Sequence, residues 1–284
     1  MRPAERLFLA AALCLPTSLL PAAGAPGQLR LEGRFAQGGL VVGYAAPGAR
    51  VQQDGRELRV SPRGEFLLGF DRDAPGSSEV VVTTPDGAVE RRALSIASRS
   101  YDIQRIDGLP PRQVTPTAAD LKRIERDNAL LAEARARDDP RTDFLAGFHW
   151  PAQGRISGVY GSQRVLNGEP RRPHYGVDVA APVGTPVRAP APGLVTLAHP
   201  DMFFSGGTLI VDHGHGLSSS FLHLSKIHVR KGEHVEAGQL IAEIGATGRV
   251  SGAHLDWRMN LRGAHVDPQL LVGEMPGNGV NREP

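Results

Sequence analysis

Polar and apolar residues alternate along the segment His254-Leu255-Asp256-Trp257-Arg258-Met259-Asn260-Leu261. This period of two predicts a β-strand with one polar and one buried face, because successive strand side chains point to opposite sides. His254 and Asp256 therefore share the polar face, with Cα atoms about 7 Å apart. The surrounding region, residues 149–272, is dense in turn signals and has no helical stretch of useful length, which predicts a single-layer or sandwich β domain.

Residues 26–100 consist of short strand-like runs separated by turn residues. The dipeptide Asp54-Gly55 lies between Ala49-Arg50-Val51-Gln52 and Leu58-Arg59-Val60, a pattern typical of a tight β-hairpin. Short strands at this spacing predict a small immunoglobulin-like β-sandwich. The region carries no catalytic group of residues, so we expect a structural or binding role for it.

Residues 101–148 are expected to link the two β regions through a helix. Thr115-Pro116 and Thr117 offer a helix start, and Asp139-Pro140 ends it. One face of this helix is apolar, and it is formed by Leu121, Ile124, Leu131 and Ala134. We predict that this face packs on the C-terminal β domain; a mobile inhibitory arm is the alternative. Residues 273–284 are rich in Gly, Asn and Pro and predict a flexible tail.

Residues 1–25 have the pattern of a secretory signal peptide. Arg2 and Arg6 precede an apolar run, and Ala23-Gly24-Ala25 offers a cleavage site of small residues. The apolar run is interrupted by Pro16 and is shorter than the roughly 20 residues of a spanning helix, so we expect no stable membrane insertion after cleavage. The only cysteine, Cys14, leaves with this segment, and the mature protein then has neither disulfides nor Cys-ligated metal. The expected location is the periplasm or cell envelope.

The net charge of the 284-residue chain is +2, and no stretch is a sustained basic run. Nucleic-acid binding driven by electrostatics is therefore excluded.

Histidine and aspartate residues recur at three places in the C-terminal region: His174 with Asp178, His223, and His254 with Asp256. Imidazole and carboxylate are zinc ligands, and three protein ligands with one open position are typical of a catalytic zinc site. Such a site predicts a metal-activated water that attacks a carbonyl. In a straight strand the Cα atoms of His174 and Asp178 would lie about 13 Å apart, so we predict a turn at Gly176.

The segment from about Phe148 to Pro268 resembles the lysostaphin-like, or LytM-type, zinc metallopeptidases that cut peptidoglycan peptides. The resemblance rests on several sequence motifs in order. They are Gly154-Arg155-Ile156-Ser157-Gly158-Val159-Tyr160-Gly161, His174 to Asp178, Ala180-Ala181-Pro182-Val183-Gly184-Thr185-Pro186-Val187, Phe221-Leu222-His223-Leu224, and Gly245-Ala246-Thr247-Gly248-Arg249 leading to His254. The two-region layout is similar to that of exported Gram-negative members. The expected fold is mainly β: an immunoglobulin-like sandwich, a helical linker, and a β-sheet or barrel-like metallopeptidase domain.

The resemblance implies roles for five residues. His174, Asp178 and Asp256 occupy the positions of the Zn²⁺ ligands, and His223 and His254 those of the residues that assist deprotonation of water and stabilise the oxyanion. The family carries a His at the position of Asp256. Asp is a competent zinc ligand, but a His-Asp-Asp set places two negative charges on the ion, and we expect a less acidified water.

Two functions follow as expectations. The first is a secreted zinc endopeptidase that hydrolyses the peptide cross-links between peptidoglycan stems. The alternative is a catalytically impaired domain of the same fold that binds the cell wall or activates cell-wall amidases.

A second histidine pair, His213-Gly214-His215, also has the spacing of a metal site. Its glycines predict a turn, and we interpret it as structural, with His215 the substitute ligand if Asp256 does not bind.

Overall fold

The computed structural model describes residues 29–106, 117–166 and 168–276. The predicted signal peptide, residues 1–25, lies outside the described residues, as do the last eight residues of the predicted tail. Among the described residues, none of the helices has the length and apolar content needed to cross a membrane.

The N-terminal part is built from seven short strands. They are β1 (Arg30–Gly33), β2 (Leu40–Tyr44), β3 (Arg50–Gln53), β4 (Arg56–Leu58), β5 (Glu65–Gly69), β6 (Ser77–Thr83) and β7 (Val89–Ser95). One sheet has the order β1-β2-β5 and the other β4-β3-β6-β7. Both sheets contribute to one buried core, which contains Val41 and Phe66 of the first sheet and Val51 and Val80 of the second. This part is therefore a two-layer β module; the immunoglobulin-like assignment stays a prediction.

The predicted hairpin at Asp54-Gly55 is confirmed. β3 pairs antiparallel with β4, and the two turn residues have φ angles of 49° and 79°. A left-handed backbone at both positions is typical of the two-residue hairpin turn, and Asp and Gly tolerate it.

The C-terminal part contains one ten-stranded sheet, and two more of its strands form a separate small sheet with a strand of the linker. Its strands are β9 (Arg155–Gly158), β10 (Gln163–Leu166), β11 (Glu169–Pro170), β12 (Gly176–Ala180), β13 (Pro186–Arg188), β14 (Gly193–Met202), β15 (Gly206–Asp212), β16 (Leu217–Ile227), β17 (His234–Val235), β18 (Leu240–Ile244), β19 (His254–Leu261) and β20 (Ala264–Val266). The main sheet runs β17-β14-β15-β16-β19-β12-β9, with β18 on β16, β13 on β18 and β20 on β19, while β10 and β11 belong to the small sheet. A 3-10 helix (Asp143–Ala146) precedes it and a short helix α2 (Gln269–Val272) follows it. The predicted mainly-β fold is confirmed.

The linker combines a strand with the predicted helix. Strand β8 (Ile103–Ile106) pairs parallel with β10, which the sequence reasoning did not anticipate. Helix α1 (Ala118–Arg135) begins at Thr117, whose hydroxyl accepts from the Asp120 amide, while the Asp120 carboxylate accepts from the Thr117 amide. This reciprocal cap satisfies two amides at the helix start.

The packed face of helix α1 lies near its C-terminal end. Ala134 is buried, and Leu130 and Leu131 pack with it against β14 and β15. Leu121, which was predicted to share that face, is 50% exposed. The helix thus packs on the C-terminal sheet as predicted, with the contact concentrated in its last turns.

The two faces of the main sheet differ in chemistry. One row across β15, β16, β19 and β12 is completely buried and consists of Leu209, Phe221, Trp257 and Val177. We call this the core face; it also receives Leu40 and Leu67 from the N-terminal module. The opposite face carries Asp178, Asp256 and Arg258, and we call it the site face. Directly paired strand residues point the same way, so the register assigns each side chain to a face.

The N-terminal module is tied to the end of the main sheet by polar contacts. The Arg262 guanidinium donates to the Leu67 carbonyl at 2.8 Å, and the Asp267 amide donates to the Gly38 carbonyl at 2.7 Å. Arg99 forms an ion pair with the buried Asp267 carboxylate at 2.8 Å. These contacts join the module to the sheet that carries the candidate site.

Candidate active site

His174 and Asp178 are brought together at the start of strand β12. The Nε2 atom of His174 lies 3.2 Å from Oδ1 of Asp178. Both atoms are buried, and neither has a partner in hydrogen-bond geometry among the described residues. Burial acts to lower the pKa of His174, but the carboxylates of Asp178 and Asp256 outweigh it and hold that pKa above its ordinary value. An imidazole nitrogen and a carboxylate oxygen that are both unpaired at this separation are the arrangement that a cation would satisfy.

Gly176 lies in a strand and does not form the predicted turn. It is the first residue of β12 and pairs with Arg258 of β19. A Cβ atom at this position would lie 2.5 Å from the Trp257 carbonyl oxygen and 2.6 Å from Cγ of Arg258. The prediction of a turn was therefore wrong: glycine is required because the Arg258 side chain crosses directly over it.

Asp256 completes a group of three donors. It pairs with Asp178 across β12 and β19, and one ligand atom each from His174, Asp178 and Asp256 lie within 4.8 Å of one another. These are the three predicted ligands. The donor set, one imidazole and two carboxylates, fits a divalent cation such as zinc.

Arg258 modifies the third donor. Its Nε donates to both oxygens of Asp256, at 2.9 Å and 3.0 Å, and its Nη2 donates to Oδ2. Although burial acts to raise the pKa of Asp256, the Arg258 guanidinium holds it at about 2. Asp256 is thus ionised, and both of its carboxylate oxygens accept hydrogen bonds from the Arg258 guanidinium. In the described part of the chain, the carboxylate of Asp178 has no such arginine partner.

The charge of the site follows from this pair. Asp178 contributes one negative charge, while Asp256 and Arg258 together are neutral. The formal charge therefore equals that of a His-His-Asp set, and the expectation of two uncompensated negative charges was incomplete. The sequence contained the signal: Arg258 follows Asp256 by two residues in an alternating strand, so both side chains point to the same face.

His223 reaches the site through an interruption of strand β16. Simple alternation would place it with Phe221 on the core face. Its φ of 66° and a register shift opposite, between Gly207 and Leu209, turn the side chain instead. Its Nδ1 lies 2.9 Å from the Thr247 carbonyl. A carbonyl only accepts, so Nδ1 carries the proton and Nε2 has the free lone pair.

Burial lowers the pKa of His223, and the neighbouring His254 and Arg258 act in the same direction. The imidazole is therefore neutral at neutral pH and able to accept a proton at Nε2.

His254 has the same orientation as His223. Its Nδ1 lies 2.9 Å from the Gly252 carbonyl, and its Nε2 lies 3.8 Å from Oδ1 of Asp178. The ring centroids of His223 and His254 are 4.8 Å apart. Both imidazoles thus stand beside the three-donor group with Nδ1 bonded to backbone.

The second histidine pair lies away from this group. The His213 ring is fully buried, with Nδ1 2.7 Å from the Pro192 carbonyl and Nε2 2.8 Å from the Ser219 hydroxyl. The His215 ring packs against Phe144, with centroids 5.1 Å apart. Burial lowers the pKa of both histidines to about 4. This environment suits neutral structural histidines, and His215 is not among the clustered donors of the described residues.

Arg135, in the last turn of helix α1, is a site residue that the sequence reasoning missed. Its Nη2 donates to the Ser220 hydroxyl at 3.0 Å, and Ser220 pairs with Arg258 in the sheet. A basic residue at a helix C-terminus ordinarily faces solvent, so the sequence held no signal for this contact.

A family model and a solved structure both relate this chain to M23 peptidases. Residues 172–268 match the model of the family described as Peptidase family M23. A crystal structure assigned to a peptidase M23 from Pseudomonas aeruginosa is 32% identical, with a TM-score of 0.67, and the match covers 84% of this chain and 96% of that one.

Two characterised relatives match over the C-terminal part. The peptidoglycan DD-endopeptidase ShyA of Vibrio cholerae is 42% identical over 97 residues, which are 34% of this chain and 22% of that protein. The DD-carboxypeptidase/endopeptidase Mpg of Neisseria meningitidis is 35% identical over 105 residues, which are 37% of this chain and 24% of that protein. The matches thus span less than a quarter of either relative.

Proposed function

This chain belongs to peptidase family M23, and from that premise we propose that it is a zinc-dependent endopeptidase that hydrolyses the peptide cross-links of peptidoglycan. The observation that carries the proposal is the pair of buried, unpartnered atoms His174 Nε2 and Asp178 Oδ1 beside two imidazoles. A peptidase site needs a cation position and a proton acceptor within reach of the same carbonyl.

His174, Asp178 and Asp256 would hold the metal. Bound there, zinc supplies Lewis acidity to a scissile carbonyl and lowers the pKa of water. Because both oxygens of Asp256 accept hydrogen bonds from Arg258, His174 and Asp178 would be the main ligands, and Asp256 would supply an oxygen that Arg258 also contacts.

His223 and His254 would handle the proton and the developing charge. His223 has a lowered pKa and a free Nε2 lone pair, which suits it to accept a proton from water. His254 stands opposite, and its Nε2 is positioned to stabilise the oxyanion or to return the proton to the leaving amine. The backbone bonds at both Nδ1 atoms hold the rings in these orientations.

The substrate class is proposed from the relatives, since ShyA and Mpg are named for activity on peptidoglycan or on DD peptide bonds. Such a substrate lies outside the cytoplasm. We therefore propose that residues 1–25 direct export to the periplasm, that residues 26–100 form a separate module, that residues 101–148 are the linker, and that residues 149–272 form the catalytic domain.

A digest of cross-linked peptidoglycan tests the proposal. The mature protein is incubated with purified sacculi, with and without a chelator, and the products are identified by mass spectrometry. We expect loss of cross-linked dimers that the chelator abolishes and that added zinc restores. Intact dimers in the presence of stoichiometrically bound zinc would overturn the proposal.

The alternative function, a wall-binding or amidase-activating domain, is favoured by one observation only, the engagement of Asp256 by Arg258. This alternative predicts two results together: cross-linked dimers stay intact in the digest, and an amidase is retained on the immobilised protein. The relatives reported above are named as peptidases, which supports the first function.

A further inference from the structure

Helix α1 lies on the same face of the sheet as the candidate site. Ala134 and Ile210 belong to one buried cluster, and the register places Ile210, Ser220, Arg258 and Gly176 in one row across β15, β16, β19 and β12. Side chains in such a row share a face. The last turn of the helix therefore borders the floor of the site, and its terminal residue is Arg135.

Arg135 is turned into this floor and has no anionic partner. Its Nη2 donates to the Ser220 hydroxyl at 3.0 Å, and its Nε is buried without a hydrogen-bond partner. Among the described residues, no carboxylate forms an ion pair with it. Burial, reinforced by the charge of Arg258, lowers the pKa of Arg135 to about 10, so the guanidinium is still charged at neutral pH.

Two other partly buried arginines are paired with carboxylates, and Arg262 donates to two backbone carbonyls. Arg141 contacts Asp139 and Asp212, and Arg99 contacts Asp267. A partly buried guanidinium with only a hydroxyl for a partner retains several unused N–H donors in a fixed plane. Such a group is complementary to a planar anion, above all a carboxylate.

The distance between Ser220, which Arg135 contacts, and the proposed metal ligands suits a carboxylate on the substrate. The row that contains Ser220 and Arg258 is next to the row that contains Asp256 and Asp178 on the site face, about 7 Å along the strand. A carboxylate on the residue that follows a scissile amide lies within this reach, because an extended chain advances about 3.4 Å per residue.

We propose that Arg135 forms a carboxylate subsite that selects substrates with a free carboxylate on the residue following the cleaved bond. The inference rests on the proposed peptidase function and adds its specificity. Mpg is named as a DD-carboxypeptidase as well as an endopeptidase, and a carboxypeptidase by definition releases a residue with a free carboxylate. Arg135 belongs to the linker helix, so the linker takes part in choosing the substrate.

Two synthetic stem peptides test the subsite. One ends in a free carboxylate one residue beyond the cleaved amide, and the other ends in a carboxamide at that position. For the wild-type zinc-loaded protein we expect kcat/KM to favour the acid by about 10- to 100-fold, the effect of one charge-assisted hydrogen-bonded pair.

Arg135→Gln should remove this preference, because it should lower kcat/KM for the acid far more than for the amide. Arg135→Lys should keep part of the preference, because it keeps the charge without the planar fork. The matched control is Arg126→Gln on the same helix, where the exposed guanidinium donates to the Lys122 carbonyl. A persisting preference in Arg135→Gln, or an equal loss on both peptides, would overturn the subsite.

Equilibrium binding separates this inference from the proposed function. Calorimetric titration of the same two peptides requires no turnover. Tighter binding of the acid that disappears in Arg135→Gln supports the subsite even if neither peptide is cleaved, in which case only the peptidase function fails. Equal binding of acid and amide by the wild type counts against the subsite even if both are cleaved.

Discussion

Ser219 and Ser220 are neighbours on strand β16, but their side chains lie on opposite faces of the sheet and have different partners. Ser219 points to the core face, where its hydroxyl meets the fully buried His213. Ser220 points to the site face, where its hydroxyl meets Arg135, a guanidinium with unused donors. The core face thus pairs His213 through both ring nitrogens, although Nε1 of Trp257 on that face has no hydrogen-bond partner among the described residues. In the same set of residues, unpaired atoms of three ionisable groups lie at the site face: His174 Nε2, Asp178 Oδ1 and Arg135 Nε.

This difference teaches how to distinguish structural from functional polar residues. Unpaired buried polar atoms cost free energy, and where several ionisable groups cluster they mark a position that a ligand can satisfy. The two ring nitrogens of the neutral His215, which packs against Phe144, have no hydrogen-bond partner within the described chain, so a single neutral group is not such a mark. His213 has two partners, but His174 Nε2 and Asp178 Oδ1 have none in hydrogen-bond geometry among the described residues. Substitutions on the site face should therefore affect chemistry, and those on the core face should affect stability.

The largest effect is expected for His174→Ala. This change removes a proposed ligand whose Nε2 atom faces the Asp178 carboxylate but makes no hydrogen bond to a structural group of the described chain. Metal content and peptidase activity should both fall to background, while the melting temperature of the metal-free protein should stay close to that of the wild type. Metal content is measured by mass spectrometry and activity with the sacculus digest. The control is His228→Ala, a surface histidine beside Glu243. Retention of stoichiometric zinc by His174→Ala would contradict the ligand assignment.

His223→Ala should separate chemistry from metal binding. We expect kcat to fall by about 10²- to 10⁴-fold, the range for loss of a general base, with zinc retained. Single-turnover kinetics on a stem peptide and the zinc content of the same sample give the two readouts. Unchanged turnover would show that His223 is not the proton acceptor.

On the core face, Phe221→Ala should destabilise the fold. Phe221 is fully buried next to Trp257, and deletion of a buried Phe side chain costs about 3–5 kcal/mol. Urea unfolding followed by tryptophan fluorescence measures the free energy of unfolding. A change below about 1 kcal/mol would show that this face is not the tightly packed core described above.

The core histidines should make the protein sensitive to acid. The pKa of His213 is lowered from 6.5 to about 4 in the folded state. Between these values the unfolded chain binds a proton that the folded chain does not. The contribution of His213 to the free energy of unfolding is therefore complete above pH 6.5 and is lost as the pH falls toward 4. The full shift corresponds to roughly 3 kcal/mol.

Urea unfolding at pH 7.5 and pH 4.5 tests this acid sensitivity. The variant His213→Gln should be less stable than wild type at pH 7.5 but lose less on acidification. An equal loss in both proteins would remove His213 as a source of the pH dependence.

The smallest change in function is expected at Asp256, the proposed metal ligand that Arg258 already hydrogen-bonds. The double variant Asp256→His, Arg258→Gln keeps the formal charge of the site and removes the competition for the third ligand. Zinc affinity, measured by competition with a chromogenic chelator, should rise by about tenfold, equivalent to about 1.4 kcal/mol. Weaker zinc binding would show that the Asp256–Arg258 pair is itself the better third ligand.

The sequence predicted much of the fold because the relevant signals are local. Alternation along β19, the Asp54-Gly55 turn and the Thr117 helix start depend on residues close in the chain, and each element is present as expected. Two predictions needed distant contacts and failed for that reason. Leu121 is exposed because the apolar contact between the helix and the sheet is confined to the last turns of the helix, and Gly176 is explained by a side chain from β19.

By itself the sequence determined a mainly-β chain with five candidate residues in a recognisable order. Their types and spacing are properties of the chain, and alternation already assigned His254 and Asp256 to one face. Only the tertiary structure decided which polar groups remain unpaired. The left-handed backbone of His223, the contact of Arg258 with Asp256 and the approach of Arg135 to Ser220 each depend on how elements pack. Packing fixes these contacts because burial removes the water that would otherwise satisfy every polar group equally.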